Sequence, residues 1–349
     1  MDKEDILKNI EALTLYTGTY GRKKCTCSCI GCTQELISNK LKQYQGNIEQ
    51  IKTIIKYLPN LKTAYILGNP DISVDTSFCN QVAKEFIKNN IKVMFSTSGY
   101  DGLNTVKKIT AGIDKENIEY ISFSIDTLDN QKLQYLKGNK KINIEEIEKA
   151  IEYCIEKDIT VKIQPTLWEI NQNDYKEIID RYSNMGIKWF TFHAGSFETI
   201  NKENPLKHIK PEKWMKIVED IDNIARKKDL KAKAPKIFIE EKEEMVYKEK
   251  QKLYCKHGGK DLQIWLCEEG IKATVCPILS AVYQEYIFDL EKEDIKLVDK
   301  CNEGCIVCDK CIDKYLRNES IGNKGKEFIV YNKKIHNICR YYADRIKYG

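Results

Sequence analysis

The sequence has no long hydrophobic run. Nothing in it approaches the ~18 consecutive apolar residues of a membrane-spanning helix. The opening MDKEDILKNI is charged and lacks the continuous apolar stretch of a secretory signal. A cytoplasmic chain with no membrane partner is therefore expected. The sequence also lacks an excess of one charge: 57 basic and 52 acidic side chains leave a formal net charge of +5. That balance describes a solvated surface and gives no footprint for a nucleic-acid partner. Lysine-rich stretches such as NKK and ARKKDLKAKAPK are read as solvent-facing. There is neither a fixed-period repeat nor a low-complexity segment.

What the sequence has in quantity is cysteine, fourteen in 349 residues. A cytosolic chain keeps its thiols reduced, which argues against a disulfide framework. Four of the fourteen, Cys25, Cys27, Cys29 and Cys32, fall within KKCTCSCIGCTQE at 23–35. So short a span suits disulfide geometry poorly. Metal or redox chemistry is the better reading. With 42% hydrophobic residues, the chain can bury a substantial core and fits one large domain with a smaller one.

Short apolar runs alternate with amphipathic helical patterns through the first two-thirds of the chain. The expected strands are ALTLYT (12–17), TAYIL (63–67), KVMFST (92–97), YISFSI (120–125), TVKIQPT (160–166) and KWFTFH (188–193). Helical stretches such as CNQVAKEFIKNN, IEEIEKAIEYCIEKD, YKEIIDRYSNMG and EKWMKIVEDIDNIARKK lie among them, with Gly186 as a helix-closing residue. Six β/α units in succession imply an α/β fold with a parallel sheet, a partial (β/α)6 barrel over residues 1–240. Near 240 the alternation stops, and eight of the cysteines follow. LQIWLCEEGIKATVCP reads as a hairpin turning at Glu268–Gly270, and residues 241–349 as a small cysteine-rich domain stapled by metal.

Unusual residues collect in the loops after the strands. The first strand leads to the cysteines, the second to Gly68, Asn69 and Pro70, and the third to Ser98 and Gly99. The fourth ends in Ser124 and Asp126, the fifth carries Gln164, and the sixth ends at His193. Each alone is ordinary turn chemistry. Together they occupy the C-terminal rim, where parallel β/α barrels bind ligands. His193 reads equally as a ligand contact and as a buried, hydrogen-bonded side chain.

Cys25-x3-Cys29-x2-Cys32 offers three thiolates to a four-iron cluster and leaves one iron without a protein ligand, where an electron-transfer cluster takes four cysteines. Structural zinc, with Cys27 as a possible fourth ligand, is the alternative. At this point the chain resembles the radical S-adenosylmethionine superfamily over roughly residues 8–240. The resemblance implies a cluster held by Cys25, Cys29 and Cys32, with S-adenosylmethionine on its open iron. It places Gly68, Asn69 and Pro70 at the segment contacting the cofactor's amino group. Ser124 and Asp126 fall where the family holds the ribose and the methionine end. The sequence departs from the pattern at Asn69, where the family has Glu, and at Gly31, where an aromatic residue is usual; Ile30 or Tyr20 is left to meet adenine.

The C-terminal cysteines are similar to the SPASM extension, which carries two auxiliary four-iron clusters, although the middle gaps differ. The resemblance implies Cys255, Cys276 and Cys311 on a nearer cluster and Cys301, Cys305, Cys308 and Cys339 on a farther one; a zinc ribbon is the alternative. Cys267 either completes the nearer cluster or stands free as a catalytic hydrogen-atom donor. His257 reads as a hydrogen-bonding neighbour of the cluster rather than a ligand, and Cys79 and Cys154 as core thiols. The resemblance implies S-adenosylmethionine and three four-iron clusters as cofactors, with flavodoxin or ferredoxin as electron donor. A peptide or protein substrate would be crosslinked, epimerised or oxidised. About 24 residues precede the first cysteine, so no leader-binding domain is expected in front. A small-molecule dehydrogenase or rearrangement enzyme is the second reading. A non-catalytic iron–sulfur carrier or zinc-stabilised binding module is the third.

Overall fold

A computed structural model describes residues 3–20, 24–32, 42–195, 206–240, 260–274, 287–292 and 335–337. The chain divides into two compact units, Met1–Ile163 with Gly258–Leu297, and Gln164–His257 with Val298–Gly349. The first contains α1 (Lys3–Lys8), β1 (Ala12–Tyr16), α2 (Ile48–Tyr57), β2 (Thr63–Gly68), α3 (Thr76–Lys88), β3 (Lys92–Thr97) and α4 (Gly102–Ile109). It continues through β4 (Ile118–Phe123), α5 (Asn130–Lys137), α6 (Ile144–Glu156) and β5 (Val161–Ile163). The second unit contains β6 (Thr166–Leu167), α7 (Tyr175–Asn184), β7 (Trp189–Thr191), β8 (His193–Ala194), α8 (Pro211–Lys228), β9 (Lys231–Lys233) and β10 (Phe238–Glu240). The first unit then resumes with β11 (Asp261–Cys267), β12 (Gly270–Thr274) and β13 (Phe288–Asp289), and β14 (Ile335–Asn337) returns to the second.

In the first unit the strands lie in the order β13-β12-β11-β1-β2-β3-β4-β5. They run parallel from β11 to β5, with β12 and β13 antiparallel at one side. The fold is thus mixed α/β with a parallel sheet. Period-two alternation gives the sheet two different faces. Leu13, Leu15, Ala64, Ile66, Val93, Phe95, Ile121, Phe123, Val161 and Ile163 form the buried apolar face. The helices contribute Ile51, Ile54, Val82, Phe86, Val106, Ile147 and Ile151 to the same core. Cys79 and Cys154 are fully buried on α3 and α6. Side-chain caps start the helices: Asn47, Asp75, Asp129 and Asn143 each accept from a backbone N–H in the first turn.

Several expected strands stop short of the ends of their apolar runs. TVKIQPT breaks into β5 and β6 around Pro165, which has no N–H to give a ladder. KWFTFH changes partner at its end: Phe192 N–H donates to Lys233 O at 2.8 Å, while His193 N–H donates to Pro165 O at 2.8 Å. YISFSI stops as a strand at Phe123, which leaves Ser124 and Asp126 in the following loop. In the second unit Trp214, fully buried on α8, donates Nε1–H to Pro235 O at 2.8 Å. There β7 pairs parallel with β9, and β10 antiparallel with β14.

The 261–274 hairpin turns at Glu268 and Glu269 and is laid directly against β1, with Leu13 opposite Leu262 and Leu15 opposite Ile264. Tyr16 and Trp265 stack with centroids 5.3 Å apart. The Gln50 side-chain amide donates to Cys267 O at 2.9 Å and to Gly270 O at 3.3 Å, and Lys42 pairs with Glu268. Gln50 also accepts from Asn47 N–H through Oε1, closing the cap of α2. Gln50→Glu keeps that acceptor and loses the donor, placing a carboxylate oxygen against two carbonyls. It is expected to cost about 1–3 kcal/mol. Denaturant unfolding measures the loss, and faster amide exchange confined to the hairpin turn identifies its place.

Candidate active site

The cysteine loop is closed at its base by Asn69. Asn69 Oδ1 accepts from Tyr20 N–H at 2.7 Å, and Nδ2 donates to Tyr44 O at 3.0 Å and Gln45 Oε1 at 3.2 Å. Thr19 N–H adds a bond to Tyr44 O at 2.9 Å. The chain entering the loop and the chain leaving it are therefore tied together through one buried amide. This commits the Asn69 side chain to architecture. Gly68, the last residue of β2, has φ 81°, and a Cβ there would lie 2.4 Å from Ile72 N, so the turn requires glycine. The Asn69–Pro70 bond is cis.

One residue beyond Pro70, Asp71 joins the loops after β2 and β3. Its Oδ2 accepts from Ser98 N–H at 2.8 Å, and its Oδ1 from Ser73 N–H at 2.9 Å. Ser98 Oγ in turn receives the Cys27 thiol at 3.6 Å. Cys27 is buried, whereas Cys25, Cys29 and Cys32 are half-buried. The hydrogen bond from Cys29 draws the Cys27 thiol down to about 7, while giving it pushes Cys29 well above its ordinary value. Burial, then the Asp71 carboxylate, pushes Cys25 up to about 12.

The other side of the loop rests on the C-terminus of α5. Ile30 N–H donates to Leu136 O at 3.1 Å, and Asn139 Nδ2 to Thr26 O at 2.8 Å. Gly138 ends the helix with φ 58°, and a Cβ there would stand 2.3 Å from Ser28 O. The preceding residue, Lys137, has a side chain only 5% exposed and reaches Asp126 Oδ2 and Ser124 Oγ, each at 2.8 Å. Burial alone would lower its pKa. The Asp126 carboxylate and the nearby Cys29 and Cys27 thiols outweigh that and raise it above the usual lysine range. The ammonium is charged at any physiological pH.

Ser98, Ser124, Asp126, Asn69 and the four cysteines are thus gathered in the first unit. Sequence reasoning missed Lys137 and Asp71. Lys137 reads as a basic residue in the last turn of an amphipathic helix, with nothing in its local sequence to set it apart. Asp71 directly follows the Gly-Asn-Pro loop, a position that was itself a signal. Gln164 and His193 belong to the second unit, where Gln164 Nε2 and His193 Nε2 lie 2.7 Å apart. Cys267 is buried at the end of β11, with its thiol 3.6 Å from Trp265 O and pushed up to about 12 by burial. Tyr20 carries the Lys24 ammonium 3.5 Å from its ring centroid. Cys255, His257, Cys276, Cys301, Cys305, Cys308, Cys311 and Cys339 lie outside the described residues.

Among the described residues, no three His, Cys, Asp or Glu side chains converge as ligands of one metal ion. Cluster cysteines each bind a different iron and need not crowd a single centre. Three half-buried thiols on one loop, with the Lys137 ammonium acting on Cys29 among them, make a soft donor set suited to iron–sulfur ligation.

Residues 22–182 match the family model described as Radical SAM superfamily. No curated protein matches the chain. Among solved structures the chain is similar to Streptococcus suis SuiB bound to S-adenosylmethionine, with TM-score 0.56 and 16% identity, covering 83% of this chain and 64% of that one. It is similar to Streptococcus suis SuiB bound to precursor peptide SuiA, with TM-score 0.55 and 17% identity, covering 81% and 63%. It is also similar to native anSMEcpe with bound AdoMet, with TM-score 0.56 and 14% identity, covering 95% and 87%. The chain spans just under two thirds of the SuiB chain. At such identities these likenesses are of fold.

Lys137→Met leaves the buried Asp126 carboxylate without its counter-charge and is expected to cost about 3–5 kcal/mol. Lys137→Arg keeps the charge and recovers part of the loss. Thermal unfolding of the two variants beside wild type checks the order; equal stability of all three would show that the ion pair does not hold the loop.

Proposed function

We propose, from the premise that the chain carries a radical SAM domain over residues 22–182, that it is an S-adenosylmethionine-dependent enzyme modifying a peptide or protein substrate. The observation that carries this reading is the cysteine loop seated against the buried Lys137–Asp126 pair. Cys25, Cys29 and Cys32 would hold a four-iron cluster. The Lys137 ammonium and Asp126 carboxylate offer opposite charges to the zwitterionic methionine end of the cofactor, and Ser124 Oγ and Ser98 supply hydroxyls beside them. When bound, the cluster and cofactor would supply one-electron chemistry able to remove a hydrogen atom from the substrate. The chain's own work is to keep three thiolates together, to hold the charged end of the cofactor, and to close the loop through Asn69. Support for a peptide substrate comes from the fold-level likeness to a protein solved with a precursor peptide.

The same reading assigns Cys255, Cys267, Cys276 and Cys311 to a nearer auxiliary cluster and Cys301, Cys305, Cys308 and Cys339 to a farther one, with a flavodoxin or ferredoxin as electron donor. Anaerobically reconstituted enzyme should then contain roughly twelve irons. Alanine at Cys25, Cys29 and Cys32 together should remove about a third of the iron and abolish 5′-deoxyadenosine formation. Stoichiometric zinc with little iron in protein prepared without oxygen would overturn the assignment.

Cys267 separates two chemistries. As a ligand, its replacement by alanine alters the cluster spectra, and the wild-type product is lighter than substrate by two hydrogens. As a free hydrogen donor, Cys267→Ala leaves every cluster intact, and wild-type enzyme in deuterated water adds one deuterium per modified residue. The ligand outcome is expected. Cluster spectra and product mass decide it.

A further inference from the structure

The Asp71 side chain is tied to the cysteine loop at two points. Its Oδ2 accepts from Ser98 N–H at 2.8 Å, and Ser98 Oγ receives the Cys27 thiol at 3.6 Å. Its Oδ1 accepts from Ser73 N–H at 2.9 Å, and Ser73 Oγ lies 3.3 Å from Thr26 Oγ1. One serine therefore stands between the carboxylate and Cys27, and another between it and Thr26, the residue after Cys25. The Thr97 hydroxyl adds a longer bond to Oδ1 at 3.4 Å. All three donors are neutral groups, which orient a carboxylate and leave its charge in place. Asp71 is 9% exposed, and its field reaches both Cys25 and Cys27.

A carboxylate is a natural acceptor for two N–H groups, so fastening the loops after β2 and β3 accounts for its shape. Its charge has a second consequence. An iron–sulfur cluster gains negative charge on reduction, and a fixed anion close by opposes that gain. Groups around a metal site tune its potential in this way. Resting on the radical SAM reading above, we propose that Asp71 lowers the reduction potential of the cluster held by Cys25, Cys29 and Cys32. A cluster held at lower potential is the stronger one-electron donor. Asp71 is thus a positioning residue that acts through Ser98, Ser73 and the loop they support. Lys137 also acts on the loop, but its charge is shared with Asp126 at 2.8 Å.

The test is a redox titration of anaerobically reconstituted full-length enzyme, followed by electron paramagnetic resonance. The signal to follow is the one whose shape S-adenosylmethionine changes; signals indifferent to the cofactor serve as an internal reference. Asp71→Asn removes the charge and keeps the outline, whereas Asp71→Glu keeps the charge and displaces the hydrogen bonds. At a fixed potential, Asp71→Asn is expected to hold about ten times the wild-type ratio of reduced to oxidised cluster, equivalent to about 59 mV for one electron. Asp71→Glu is expected to stay near wild type. An unchanged potential in Asp71→Asn, or an equal rise in Asp71→Glu, overturns the proposal and leaves Asp71 a fastening residue only. If Asp71→Asn does not fold, the half-buried Ser73 decides the matter. Ser73→Lys sets a cation beside the carboxylate with Asp71 in place, and its potential should rise above that of Ser73→Ala. Equal potentials in those two variants overturn the proposal. Wild-type enzyme with iron–sulfur signals that all ignore S-adenosylmethionine overturns the radical SAM reading, and the proposal with it.

Discussion

Lys137 holds an ammonium where little water reaches, 2.8 Å from both Asp126 and Ser124. A charge in that position must be answered by opposite charge or hydrogen bonds, or it would lose its proton or unfold its surroundings. Asp126 and Ser124 answer it from the loop after β4, and the thiols of the cysteine loop lie within its field. Three pieces of chain distant in sequence are therefore located by one side chain at the end of α5. The residue after it, Gly138, lets Ser28 approach closely enough for the loop to sit there. The cation and the glycine act together, one by attraction and the other by getting out of the way.

Asn69 and Asp71 do a related task through neutral and charged acceptors. Asn69 fastens the two stems of the cysteine loop, and Asp71 fastens the β2 loop to the β3 loop through the Ser98 amide. Loop residues that carry chemistry need such support, because thiols on a floppy segment would lose entropy each time they gathered. Where the radical SAM pattern has Glu, this chain has Asn69, with its amide spent on the chain itself. Under the function proposed above, recognition at that rim would fall more heavily on the Lys137–Asp126 pair.

Much of the first unit was legible because its signals are local. KVMFST is the strand Lys92–Thr97, since β-branched and apolar residues alternate there between turn signals. The cysteine spacing needed no tertiary knowledge at all. Lys137 was hidden because its value lies in what surrounds it, and an amphipathic helix supplies many lysines that do nothing similar. The hairpin was visible as a hairpin, yet its seat beside β1 was not. Parallel pairing leaves no mark in either strand beyond apolar alternation, which fits many neighbours.

That seat beside β1 also bears on how the chain comes together in time. Glu11, just ahead of β1, bonds Lys260, just ahead of β11, across 249 positions of sequence. A strand emerging from the ribosome early thus waits for most of the chain to be made before one of its two edges is covered. Such a non-local closure is slow, and an open strand edge held in the interval invites pairing with the wrong partner. In the finished sheet Glu11 pairs with Lys62, just ahead of β2, and with Lys260, just ahead of β11, and so ties the three strands at their entrance. Synthesis is therefore a matter of order: β1 is laid down well before β11, the strand that covers its edge.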